Sequence, residues 1–278
     1  MPNILEVEYE SRCAIYLVYD RALVVLPFEE TDISDTNSSS STKSDTIKSR
    51  SYVIRLPNLG IYSVRDVKFL HGYYDPTIMI LYEKSGTWAG YSPINIAPPF
   101  FLVFTIVSSF ANSRQLNKRT HTVSAVIVSL NISARKETVV WAVDRLPHDA
   151  YQIVPLPDAV GGGALILSVN EILSVNQSSQ YRLSLNYFGD TYNTDVATTT
   201  EYTSTPLALE AARWTFISDN ALLMSLHHGD LHVVTIISDG RSVTHLDIQR
   251  VGTSVPAACV CFHLFLIKLT LTQLNASF

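Results

Sequence analysis

The sequence predicts an all-β fold, a sandwich or a propeller. Three observations predict it. Short β-branched and aromatic runs recur along the chain, separated by Gly, Pro, Asn and Asp turn signals. Ala221 to Ile248 reads as three strands joined by tight turns, ALLMSL, HHGD, LHVVTII, SDGR and SVTHLDI. Trp214 to Ser218 ahead of it completes a four-stranded meander, the unit of a propeller blade. Apolar spacing near 3.6 is scarce: Pro206 to Ala212, PLALEAA, is the best helical candidate and gives about one to two turns. No strict repeat in letters and no Trp-Asp blade signature separates a propeller from a sandwich.

Taken in order, Cys13 to Phe28 reads as a hairpin about Asp20-Arg21, closed by Pro27. Glu29 to Arg50 is rich in Ser, Thr and Asp and has only isoleucines to bury, so it reads as a disordered loop. Strand runs resume at Tyr52 to Leu56, Asp66 to Leu70 and Thr77 to Tyr82. Between the last two lies HGYYDP, where Gly72 tolerates positive φ and Pro76 fixes φ and denies a ladder donor, so the segment reads as a corner. Further strands are read at Thr122 to Ile132, Thr138 to Val143, Gln152 to Leu156, Ala164 to Val169 and Tyr181 to Leu185, before the meander. Two apolar segments do not fit the pattern. Ile94 to Phe110 has an apolar stretch of about a dozen residues after Pro98-Pro99, and Cys259 to Leu274 is interrupted by Lys268. Each falls below the roughly 18–20 residues that cross a bilayer, so no membrane association is expected.

Composition narrows the function. The 278 residues are 47% hydrophobic and only 16% charged, which suits many buried strands. A net charge of −5 gives no basic field for nucleic acid, so any RNA contact would be local or made by a partner. Cys13, Cys259 and Cys261 are too few for a disulfide framework, and Cys259-x-Cys261 is too close for half of an ordinary zinc site. The N-terminus shows no signal peptide, so the triplets at Asn37, Asn131, Asn176 and Asn275 read as chance rather than glycosylation sites.

The candidate chemistry is thin. His227, His228 and His232 form the one histidine cluster, but Gly229-Asp230 places a hairpin turn among them. Gly161-Gly162-Gly163 lacks the Gly-Lys-Ser/Thr end of a phosphate loop and reads as a corner between strands. Asp144 and Asp149, with Arg145 and His148, read as a loop with local ion pairing. No serine sits in a Gly-x-Ser-x-Gly elbow. Trp88, Trp141 and Trp214 could stack on bases but sit in or beside strands, so core packing is expected. Of Tyr73 and Tyr74, adjacent on an extended segment, at most one is buried and the other is free to meet a partner. The expectation is no catalytic residue, no metal ligand and no cofactor.

Several blocks in one order carry a resemblance. They are RCAIYLVYDRALVVLPFEE (Arg12 to Glu30), VKFLHGYYDPTIMILYE (Val67 to Glu83) with Thr87-Trp88, and AVIVSLNI (Ala125 to Ile132). VVWAVDRLPHDAYQIVPLP (Val139 to Pro157), GGGALILSVNEILSVNQS (Gly161 to Ser178) and WTFISDNALLMSLHHGDLHVVTIISDGRSV (Trp214 to Val243) follow. The chain resembles the large, A-type β-propeller subunit of the cleavage and polyadenylation specificity factor, over part of that family's first propeller.

The resemblance implies a partial β-propeller built of four-stranded antiparallel blades. It divides the chain into propeller strands at 1–28, a polar loop at 29–50, strands at 51–90, a hydrophobic insert at 91–113, blades at 114–252 and a hydrophobic tail at 253–278. The insert and the tail depart from the family pattern and read as foreign to the domain. The implied role is a nuclear, non-catalytic scaffold in messenger RNA 3′-end processing. Its implied partners are a WD-repeat subunit and a zinc-finger subunit, with pre-mRNA met through the complex. The rivals are a related propeller scaffold of a ubiquitin ligase, DNA-damage or splicing complex, and a propeller-based hydrolase. A disc with too few strands to close leaves sheet edges open, which favours association.

Overall fold

Four blades follow one another in chain order. A computed structural model describes residues 4–28, 51–84, 122–190, 199–203 and 205–255. The polar segment 29–50, the insert 91–113, Trp88 and nearly all of the tail 253–278 lie outside the described residues. The first blade is β1 (Leu5–Val7), β2 (Cys13–Val18), β3 (Ala22–Pro27) and β4 (Tyr52–Arg55). The second is β5 (Val64–Leu70), β6 (Thr77–Glu83), β7 (Val123–Asn131) and β8 (Lys136–Leu146). The third is β9 (Gln152–Pro155), β10 (Ala164–Leu167), β11 (Glu171–Val175) and β12 (Gln180–Ser184), with β13 (Thr199–Tyr202) added. The fourth is β14 (Arg213–Ser218), β15 (Ala221–Ser225), β16 (Asp230–Ser238) and β17 (Val243–Thr253).

Each blade is an antiparallel meander of sequential strands. The exception is β13, which pairs parallel to β12 and covers the outer edge of the third blade. The first strands sit side by side, β1 next to β5 and β5 next to β9. Side chains of β1, β5, β9 and β14 also share one cavity of about 240 Å³. First strands converging on an axis while sheets radiate from it is propeller architecture rather than a two-sheet sandwich.

Strand parity explains why the seams form. In β6, TIMILYE, Ile78, Ile80 and Tyr82 join the core between the first two blades. Met79 and Leu81, on the opposite face, join the core between the second and third. In β10, Ala164 and Ile166 face back, while Leu165 and Leu167 pack forward against Leu222, Met224 and Val234 of the fourth blade. Strands buried on both faces read as unbroken apolar runs, which is why these two show no alternation.

Some readings need correction. PLALEAA is not a helix. Its backbone is bonded to the third blade, with the Leu207 amide donating to the Leu185 carbonyl and the Leu209 amide to that of Val169. Leu209 and Ala212 are buried in the seam with the fourth blade, so packing overrides helix propensity there. The first hairpin does turn about Asp20-Arg21: three residues, Tyr19 to Arg21, link the paired Val18 and Ala22, with Tyr19 and Asp20 at φ 50° and 54° and Arg21 donating back to the Val18 carbonyl at 3.1 Å. β8 continues to Leu146, so Asp144 and Arg145 lie on a strand that bulges rather than in a loop. The strands β1, β11 and β13 carry no local pattern that marks them in the sequence.

Candidate functional site

The corner between β5 and β6 is the best-organised surface feature. Gly72 takes φ 82°, the left-handed region that favours glycine, and it lies against the Asp158 side chain of the third blade. Tyr73 turns inward, where the Trp141 indole donates to its hydroxyl at 3.2 Å. Tyr74 turns outward and is 95% exposed. The division expected of two adjacent tyrosines is the one observed. The residues that hold this corner were not singled out from sequence. Arg12, on the β1–β2 turn, donates to the Tyr74 carbonyl while its guanidinium also binds Glu8 at 2.6 Å and Glu10 at 3.1 Å. Burial pushes the Glu8 carboxyl up, but the Arg12 hydrogen bonds prevail and hold it below the usual range. A Glu four residues before an Arg on a non-helical segment carries no local signal for this pairing.

Polar contacts also fasten the blades. Lys68 pairs with Glu6 across the first seam. Asp66 spans the second seam, accepting from the Ile153 amide at 2.8 Å and the Val67 amide at 2.9 Å. Burial raises its carboxyl to about 6 despite those donors. At the third seam the Asn176 side-chain amide donates to the Arg241 carbonyl at 2.9 Å, and the Leu246 amide donates to the Tyr181 hydroxyl. Within the third blade, Glu171 and Arg182 form a buried ion pair at 3.3 Å. Burial raises the Glu171 carboxyl to about 7, opposed by Arg182.

The residues with chemical potential are dispersed. His227 and His228 stack edge to face at 5.4 Å in the β15–β16 turn, whereas His232 is buried in β16. Among the described residues, no group of three or more His, Cys, Asp or Glu side chains could hold a metal ion. Gly161, Gly162 and Gly163 all have positive φ, and a Cβ on Gly163 would lie 2.4 Å from the Val175 carbonyl, so the triplet is a tight corner. Asp144 pairs with Lys84 at 2.6 Å, while Asp149 accepts from Asn170, so the two carboxylates serve different partners. Trp141 and Trp214 pack against cores, Trp214 also edge-on to Phe216. Cys13 is buried, and burial raises its thiol to about 12. Among the described residues no helix is long and apolar enough to cross a membrane.

What the arrangement offers is a set of loops presented by packed blades, and comparison with known proteins gives it a family. The model of the RSE1/DDB1/CPSF1 first β-propeller matches residues 3–266. The chain belongs to this first-propeller family. The match takes in all four blades and continues past Gly252, where the resemblance read from the residues stops. Cleavage and polyadenylation specificity factor subunit 1 of Drosophila melanogaster is 32% identical over 92% of this propeller chain. The protein of the same name in Arabidopsis thaliana is 31% identical, also over 92%. The probable subunit 1 of Caenorhabditis elegans is 28% identical over 95%. The chain spans 17% of the Drosophila protein's length and 16% of the other two.

Proposed function

We propose that this propeller chain serves as part of a non-catalytic scaffold in the cleavage and polyadenylation of pre-mRNA, acting in the nucleus. The observation that carries the reading is the match of the first-propeller model across all four blades, joined to relatives that bear the name of subunit 1 of the polyadenylation factor. The mechanism is preorganisation. Blades packed on both faces fix their loops, so partners dock without paying for ordering of the scaffold. The partners proposed are the WD-repeat and zinc-finger subunits that recognise the polyadenylation signal, with RNA met through them. The chain's acidic balance supports indirect rather than direct RNA contact.

The family description also spans RSE1 and DDB1, which favours one second reading, a related scaffold in a splicing or ubiquitin-ligase complex. Affinity isolation of the tagged chain from nuclear extract separates them. Recovery of polyadenylation subunits supports the first reading, and recovery of a cullin or of splicing subunits overturns it.

A further inference from the structure

Four turns from three blades enclose one cavity of about 290 Å³. They are the β5–β6, β9–β10, β11–β12 and β16–β17 turns, and close approaches join them. The Asp158 side chain lies against Gly72. A Cβ on Gly161 would stand 2.7 Å from the Arg241 backbone, and one on Gly163 would stand 2.4 Å from the Val175 carbonyl. The Asn176 side-chain amide donates to the Arg241 carbonyl at 2.9 Å. The Arg241 and Ser242 amides donate to the Asp239 carboxylate at 2.9 Å and 2.8 Å. Backbone packing that only glycine permits at 161 and 163 therefore sets the frame of the cavity.

The lining is polar and carries both signs of charge, with Asp158 and Arg241 beside His71, Asn176, Gln177 and Ser178. Among the described residues, neither the Arg241 guanidinium nor the Asp158 carboxylate has a hydrogen-bond or ion-pair partner, so folding uses neither charge. That combination decides the occupant. An apolar side chain would cover both charges without pairing them. A phosphate or a purely acidic segment meets repulsion from Asp158, and a purely basic one meets it from Arg241. The net charge of −5 further disfavours a nucleic acid. A segment with one carboxylate and one ammonium or guanidinium satisfies both groups, and two opposite ion pairs fix its direction across the blades.

We propose that this cavity docks a segment of a partner protein bearing one acidic and one basic side chain, the acid paired with Arg241 and the base with Asp158. The pairing does not depend on which complex the chain joins. The test is titration of the full chain, at low salt, with short labelled Gly/Ser peptides that hold one lysine and one glutamate at several spacings. Peptides with only the lysine or only the glutamate, and an oligonucleotide, run beside them. A mixed peptide binds saturably and weakens as salt rises. Arg241→Gln lowers its affinity about threefold or more but leaves the lysine-only peptide unchanged, and Asp158→Asn does the converse, both at an unchanged melting midpoint. No saturable binding of any mixed peptide, affinity untouched by either variant, or equal or tighter binding of a single-charge peptide or of the oligonucleotide overturns the proposal.

Discussion

Single residues set how tightly the corners of a blade close. Gly163 and Gly240 both have φ near 80°, but a Cβ on Gly163 meets the Val175 carbonyl at 2.4 Å, whereas one on Gly240 meets nothing within 4 Å. Gly240→Ala should therefore cost about 1 kcal/mol, the left-handed strain alone, and Gly163→Ala about 2 kcal/mol or more. Denaturant midpoints check the order, and equal costs would refute it. Glu171 makes a second prediction. Its folded-state value, about 7, lies above the ordinary 4.5, so it contributes stability that is full in acid and is lost as pH rises between those values. Buried His232 is shifted downwards and acts in the opposite sense. The stability difference between wild type and Glu171→Gln isolates the carboxyl. Across about pH 5 to 8, wild type should lose about 2 kcal/mol relative to the variant, and a constant difference would contradict the assignment. The GGG corner was legible in sequence because consecutive glycines have few other uses between strands. The Glu171–Arg182 pair was not, since nothing in EILSV or QYRLS says that the two charges share one buried face.

At the level of elements, the two-faced burial of β6 is the structural core of the chain. Leu81 is fully buried in the seam between the second and third blades, while Val139 on the outer strand β8 is 47% exposed. Leu81→Ala should cost about 2–5 kcal/mol, and Val139→Ala should stay within about 1 kcal/mol. Thermal or chemical melts measure both. Strands such as β6, β7 and the β14–β17 meander were legible from their runs and turns. The strand β1 has three residues, too few to show a period. β13 pairs parallel with β12 and is fixed by tertiary contact rather than by local pattern. PLALEAA imitates a helix because Leu207, Leu209 and Ala212 are apolar for the sake of the seam, and Leu, Ala and Glu are all strong helix formers.

For the whole molecule, the seams combine three apolar cores with polar fasteners at Arg12, Asp66 and Asn176. The outward face of the first blade exposes Leu5, Val7 and Val53, apolar residues of the kind that interior blades bury against a neighbour. A scaffold works only while its blades hold the loops in register, so loss of a seam should abolish recruitment without touching any contact residue. Propeller architecture was legible only as one of two options until the blocks resembling the polyadenylation subunit were placed in order, since blade and sandwich strands share one local pattern. The most direct measurement is quantitative affinity isolation from nuclear extract of the tagged wild-type chain beside its Leu81→Asp variant. The account predicts that wild type recovers polyadenylation-factor subunits and that the seam variant loses them. Recovery of cullin or splicing subunits by wild type, or equal recovery of polyadenylation subunits by both proteins, would contradict it.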